Sequence, residues 1–128
     1  MDFSINKKNK NWLVVLVLVI GAVVAAYFYF ANQTPGEYDD FARCLAEKKA
    51  VFYGAFWCPH CQNQKALFGK SKGLLPYVEC STPDGGAQTP ICQQAKIESY
   101  PTWQFADGSR ESGELSLARL AEKTGCKL

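Results

Sequence analysis

The sequence predicts an α/β fold, a four-stranded mixed sheet flanked by helices, preceded by one N-terminal transmembrane helix. Three observations carry this. The run Trp12 to Ala31 is twenty residues without a charge, long enough to cross a bilayer as a helix. Downstream of it, short apolar runs alternate with amphipathic stretches, the order of a sheet layered with helices. Finally, the apolar run Val51 to Phe56 stops at Trp57-Cys58-Pro59-His60-Cys61, the local signature of a strand entering a helix. Pro59 suits the first helical position because its ring presets φ and its missing N–H would have had no partner there.

Residues 1 to 11 are polar and basic, and residues 12 to 31 are the apolar span. Trp12 at one end and Tyr27 to Phe30 at the other read as interfacial anchors. Lys7, Lys8 and Lys10 precede the span while Glu37, Asp39 and Asp40 follow it, so the positive-inside rule predicts a cytoplasmic N-terminus and an extracytoplasmic C-terminal domain on a single-pass cell-membrane protein. A cleaved signal peptide is the competing reading, with Val24-Ala25-Ala26 as its cleavage site. The length of the apolar run and its continuation past that site favour an uncleaved signal anchor. Either way the domain is exported.

Residues 32 to 36 are turn formers and read as a short linker to a domain at 37 to 128. Glu37 to Lys49 carries Phe41, Cys44 and Leu45 at helical spacing, with acids in the first turn and lysines in the last, which complements the helix dipole. Ala50 to Phe56 reads as a buried strand, and Pro59 to Phe68 as the helix it feeds, ending at Gly69. Leu74 to Cys80 is the next strand, its start delayed by Pro76. Ser81 to Gln88 is a loop, and Thr89-Pro90 opens a helix to about Glu98, with Thr89 as a candidate cap. Tyr100 to Phe105 alternates as a strand, and Asp107-Gly108 turns it into Ser109 to Gly113. Ser116 to Lys123 closes the domain as a helix stopped by Gly125. Crossover rules make the first two strands parallel and the last two an antiparallel hairpin.

Composition excludes some functions. The chain of 128 residues holds 14 Lys plus Arg against 12 Asp plus Glu. Residues 32 to 128 alone hold 11 of each, so the net charge of +2 belongs to the N-terminal flank. A balanced domain argues against nucleic acid and against a strongly charged substrate. Six cysteines in so short a chain suggest disulfides in an exported domain. No second CxxC or CxxH completes a zinc site with Cys58 and Cys61, and no metal or cofactor is expected.

The chemistry concentrates at Cys58. At a helix N-terminus, unpaired backbone N–H groups and the positive end of the macrodipole favour its thiolate, the reactive form. Cys58 is therefore expected as the exposed nucleophile, with Cys61, one turn on, as the resolving thiol. His60, when protonated, favours the thiolate further; the bland alternative is a solvent-facing residue. Trp57 is expected to stand exposed beside Cys58 on a shallow apolar surface. Lys65, Lys70 and Lys72 read as a solvated helix face.

The WCPHC junction and the later Tyr100-Pro101 resemble the thioredoxin fold. The CPHC tetrapeptide is similar to the active site of the DsbA family of periplasmic oxidases. The wider run YGAFWCPHCQNQKALFG, with YVEC and YPTW downstream, resembles the thioredoxin-like domain fused to bacterial and plant homologues of vitamin K epoxide reductase. The likeness covers residues 37 to 126. It implies a cis Pro101 beside the CxxC, where Trp57, Tyr100 and Pro101 would meet an extended substrate peptide. It also implies a protein thiol-disulfide oxidoreductase. Thioredoxins carry a buried carboxylate six residues before the first cysteine; here that position is Phe52, which weakens a reductase reading more than an oxidase one.

The inferred topology brings the end of the strand at Cys80 close to the start of the helix at Cys92. It also pairs Cys44 with Cys126. Both bridges read as structural, with a second redox couple at Cys80 and Cys92 as the alternative. The expected function is donation of disulfides to exported, unfolded or cysteine-containing proteins. Reoxidation would fall to an integral-membrane, quinone-linked partner of the epoxide reductase or DsbB type. A reductase or isomerase kept reduced by a membrane carrier, and a tethered non-catalytic binding module, are the alternatives.

Overall fold

The computed structural model describes residues 7–128; residues 1–6, the start of the predicted basic flank, lie outside the described residues. The chain divides into two units between residues 34 and 35. The first holds helix α1 (Lys7–Gln33), in which Lys10–Gln33 is long and apolar enough to cross a membrane by length and composition.

The second unit runs α2 (Asp39–Glu47), β1 (Val51–Gly54), α3 (Pro59–Ala66), a 3-10 helix (Gly69–Leu74), β2 (Tyr77–Glu79), α4 (Pro90–Gln94), β3 (Thr102–Gln104), β4 (Arg110–Ser112) and α5 (Leu117–Thr124). Its sheet has the order β2-β1-β3-β4. β1 and β2 are parallel, with Phe52 opposite Tyr77 and Gly54 opposite Glu79, while β1–β3 and β3–β4 are antiparallel.

Successive strand residues face opposite sides of a sheet, and β1 separates two apolar clusters in this way. Phe52 lies in the larger one, stacked on Trp103 at 4.9 Å and edge-on to Tyr77 at 5.1 Å. Phe41 and Leu45 of α2 bury into the same cluster, where Phe41 stacks on Phe68 at 5.9 Å. Tyr53 belongs to the smaller cluster with Cys80, Cys92 and Ile97.

Polar contacts fix the helices. Gln64 of α3 is fully buried, and its amide bridges one residue: Nε2 donates to the Leu115 carbonyl at 2.9 Å and Oε1 accepts the Leu115 N–H at 2.7 Å. Ser116 caps α5 by accepting the Arg119 N–H at 3.1 Å. Gly125 ends that helix at φ +73°, a left-handed conformation open to glycine.

Several element ends differ from expectation for local reasons. α3 stops at Ala66, and Gly69, at φ +52°, starts a 3-10 helix where the sequence predicts no element. The expected delay at Pro76 appears: β2 begins at Tyr77, and Pro76, with no N–H for the ladder, contributes only its carbonyl, which accepts the Phe52 N–H at 2.8 Å. α4 ends at Gln94 rather than near Glu98, where the chain turns through Lys96 at φ +53°. Thr89 does not cap α4 through its side chain; its hydroxyl donates to the Glu79 carbonyl at 3.1 Å and ties α4 to β2.

Candidate active site

β1 delivers the chain to the start of α3, and there Cys58 is the N-cap: its backbone is extended and its Sγ accepts the Cys61 N–H at 3.3 Å. That N–H is one of the donors a helix leaves unpaired at its first turn, so it aims a partial positive charge at the sulfur. On its other side the Cys58 Sγ lies 3.8 Å from the Tyr100 carbonyl oxygen. The Tyr100–Pro101 peptide bond is cis and Pro101 is fully buried. With this segment against it, Cys58 is only 5% exposed, where the sequence reading had an exposed nucleophile.

Trp57 is 50% exposed. Its Nε1 donates to Ser81 Oγ at 2.9 Å, and its ring meets Tyr100 edge-on at 6.1 Å. These residues wall a cleft of about 200 Å³ together with Cys80, Gly85 and Gln88. Trp57, Cys58, Tyr100 and Pro101 are thus brought together at one end of the sheet.

His60 lies at the exposed rim of the site. Its side chain is largely exposed, and Nδ1 lies 2.7 Å from Glu114 Oε1, which also accepts from Asn63 Nδ2 at 3.1 Å. The hydrogen bonds from His60 and then Asn63 hold the Glu114 carboxyl below its usual range.

Cys61 is 1% exposed. Burial pushes its thiol up to about 12, reinforced by its interaction with Cys58 and opposed by an Ala55 backbone hydrogen bond and the Lys65 charge. The thiol sits over Gly54: a Cβ there would lie 2.9 Å from Cys61 Sγ and 2.9 Å from Tyr77 Cε2. Glycine is what lets α3 approach β1 this closely.

Beside this thiol is a polar cluster the sequence reading missed. Lys65 is half-buried, with Nζ 3.3 Å from the centroid of the Tyr77 ring. The Tyr77 hydroxyl donates to Glu79 Oε2 at 2.8 Å. Glu79 Oε1 accepts the N–H groups of Phe56 at 3.2 Å and Ser81 at 2.9 Å. Burial lowers the Lys65 ammonium from its ordinary value, against the opposing charges of Glu79 and Cys61. Lys65 therefore does not belong to a solvated face. Its spacing of four residues from Cys61, and the alternation of Tyr77 with Glu79, were legible signals. Glu114 had none, lying 54 and 51 residues from His60 and Asn63.

The remaining cysteines form two disulfides. Cys44 bonds Cys126 with Cα atoms 5.9 Å apart, and Cys80 bonds Cys92 at 5.5 Å. Cys58 and Cys61 are both free thiols. Among the described residues no group of three or more His, Cys, Asp or Glu side chains is arranged to hold a metal ion. The chemistry available to the site is thiol–disulfide exchange between a sulfur at a helix N-terminus and a buried one that resists ionising.

Comparison with known proteins agrees with this geometry. LTO1, a thiol-disulfide oxidoreductase of Arabidopsis thaliana, is 43% identical over 109 residues, covering 78% of this chain and 28% of that protein. Protein disulfide-isomerase erp38 of Neurospora crassa is 28% identical over 125 residues, covering 88% of this chain and 34% of that protein. The chain spans about a third of the length of these curated relatives. The family profile named Thioredoxin matches residues 31–124, the sheet, its helices and the CxxC between them, and the chain belongs to the thioredoxin family.

Proposed function

We propose that this protein is a membrane-anchored thiol-disulfide oxidoreductase that donates disulfides to exported proteins through Cys58 and Cys61. The observation that carries it is the Cys58 sulfur at the α3 N-terminus, accepting the Cys61 N–H. A helix N-terminus is a setting that favours a thiolate, and whatever stabilises the reduced pair makes its disulfide the better oxidant. The absence of a carboxylate at Phe52, fully buried against Trp103, favours the same direction. Anchoring rests on α1, whose large apolar side chains from Trp12 to Phe30 are exposed, a surface suited to lipid.

In the reaction a client thiolate attacks Cys58 Sγ, the Cys58–Cys61 bond breaks, and its electron pair stays on Cys61 Sγ. A second client thiolate then attacks the client sulfur of the mixed disulfide and releases Cys58 as thiolate. The client loses two electrons, which the Cys58–Cys61 pair now holds. An integral-membrane, quinone-linked partner of the vitamin K epoxide reductase or DsbB type takes them up. Trp57 and Tyr100 meet the client beside Cys58, the buried Pro101 sets the Tyr100 backbone there rather than touching the client itself, His60 supports the Cys58 thiolate from the rim, and the Cys44–Cys126 and Cys80–Cys92 bridges are structural.

The isomerase name of the Neurospora relative favours one alternative, a reductase or isomerase kept reduced by a membrane carrier. A redox titration of the full chain separates the two. A potential near about −120 mV supports the oxidase, one near about −270 mV supports the reductase, and no reversible couple at Cys58 and Cys61 removes both. As a companion, Cys61→Ser should accumulate mixed disulfides through Cys58 when exposed to exported proteins.

A further inference from the structure

We infer that Lys65 is the electrostatic partner of Cys61, supplying charge compensation at the buried sulfur. The inference rests on the thiol-disulfide exchange proposed above and concerns its least favourable moment. When the client thiolate attacks Cys58, the electron pair of the broken disulfide lands on Cys61 Sγ, in a site where burial strongly disfavours a thiolate. A sulfur that resists negative charge is a poor leaving group and, in the reverse direction, a poor nucleophile. Something close by must offset that charge, and the proton that later neutralises it can come from water.

The geometry singles out Lys65. It follows Cys61 by one helical turn on α3, so both side chains project from the same face. Cys61 Sγ and the Tyr77 ring both crowd the same side of Gly54, and the Lys65 ammonium lies on that ring at 3.3 Å. Three further groups define the field. Glu79, engaged with the Tyr77 hydroxyl and two backbone N–H groups, favours the Lys65 charge; Lys72 of the 3-10 helix opposes it; and Cys61 itself gains from it. Tyr77 is held neutral by burial and by its bond to Glu79, so it acts as the platform for the ammonium rather than as an acid. Glu79 is thus a positioning residue: it anchors the ring on which Lys65 rests.

The test uses the full chain with the Cys58–Cys61 disulfide formed and a short cysteine peptide as the attacking thiol. Rates of mixed-disulfide formation, corrected for the peptide's thiolate fraction, are followed against pH. Lys65→Met keeps the aliphatic stem over Tyr77 and removes the charge. It should slow the step about tenfold at pH 7, the scale of one unit charge a few ångströms from a buried sulfur at the effective dielectric of a protein. Lys65→Arg should stay within about twofold of the unaltered protein. The advantage of the unaltered protein over Lys65→Met should fade as pH rises and Lys65 loses its proton, while that of Lys65→Arg persists. A purely structural role would produce neither the rescue nor the pH-dependent gap. Equal rates for Lys65→Met and the unaltered protein, or an arginine variant as slow as the methionine one, would overturn the inference while leaving the exchange chemistry standing. An unaltered protein that exchanges with no thiol at all would instead remove the proposed function, and this inference with it.

Discussion

Removing the Cys44–Cys126 bridge by a Cys44→Ala, Cys126→Ala double substitution tests how this domain is held together. The two cysteines are 82 residues apart in sequence, against 12 for Cys80 and Cys92. In the chain-entropy treatment, a closed loop of the longer kind stabilises by about 4.5 kcal/mol and the shorter by about 3 kcal/mol. The side chains themselves oppose that ranking. Cys80 and Cys92 are fully buried, whereas Cys44 is half-buried, so truncating the shorter bridge forfeits more contact. The entropic difference is the larger effect only if the denatured chain is expanded. Denaturant unfolding of the full chain in detergent, followed by the fluorescence of the fully buried Trp103 and by near-ultraviolet dichroism, gives both costs. The expected result for Cys44→Ala, Cys126→Ala is a loss of about 4 to 5 kcal/mol, a fall in Tm of about 20 °C or more, and a steeper denaturant dependence, because the released chain exposes more surface. A loss below about 1 kcal/mol would refute the loop argument.

Three further outcomes follow from particular contacts. Gly54→Ala, at a backbone conformation alanine tolerates, places a Cβ at 2.9 Å from both Cys61 Sγ and Tyr77 Cε2; it should cost about 1 to 3 kcal/mol by overpacking and slow thiol exchange, and an unchanged urea midpoint would contradict the close approach. Gln64→Leu leaves both polar backbone groups of Leu115 without their partner and should cost about 2 to 4 kcal/mol, read from the same titration. The reduced protein should lose stability relative to its Cys58–Cys61 disulfide form as pH rises. The Cys61 thiol ionises near 9.0 unfolded but only at about 12 folded, so its contribution is complete below pH 9 and is lost between those values, by about 2 kcal/mol at pH 10.5. A stability difference between the two forms that stays flat from pH 8 to 10.5 would count against the buried thiol.

Much of the fold was legible because its signals are local. Pro59 after Cys58, the apolar run from Val51 to Phe56, Asp107-Gly108 between two short strands, and Ser116 with Gly125 around α5 each act over a few residues, and each appears where the sequence put it. Element ends were less legible because tertiary contacts set them. The 3-10 helix after Gly69 holds Ser71 fully buried, where its hydroxyl accepts the Tyr38 N–H at 3.1 Å, a contact 33 residues distant that no local pattern announces. The same holds at the site. Cys58, Cys61 and Trp57 stand in one short run, while Glu114 reaches His60 and Lys65 meets Tyr77 only once α3 is laid on the sheet.

By itself the sequence determined the dithiol at a helix start, the apolar segment before the domain, and the order of strands and helices, since these follow from backbone preference and hydrophobic period over short stretches. The tertiary structure alone decided that Cys58 is covered rather than exposed, that Glu114 holds His60 at the rim, and that Lys65 lies on Tyr77 beside Cys61 rather than in solvent. Burial and charge proximity depend on which distant segments the sheet brings together, and the electrostatics of a buried sulfur depend on little else.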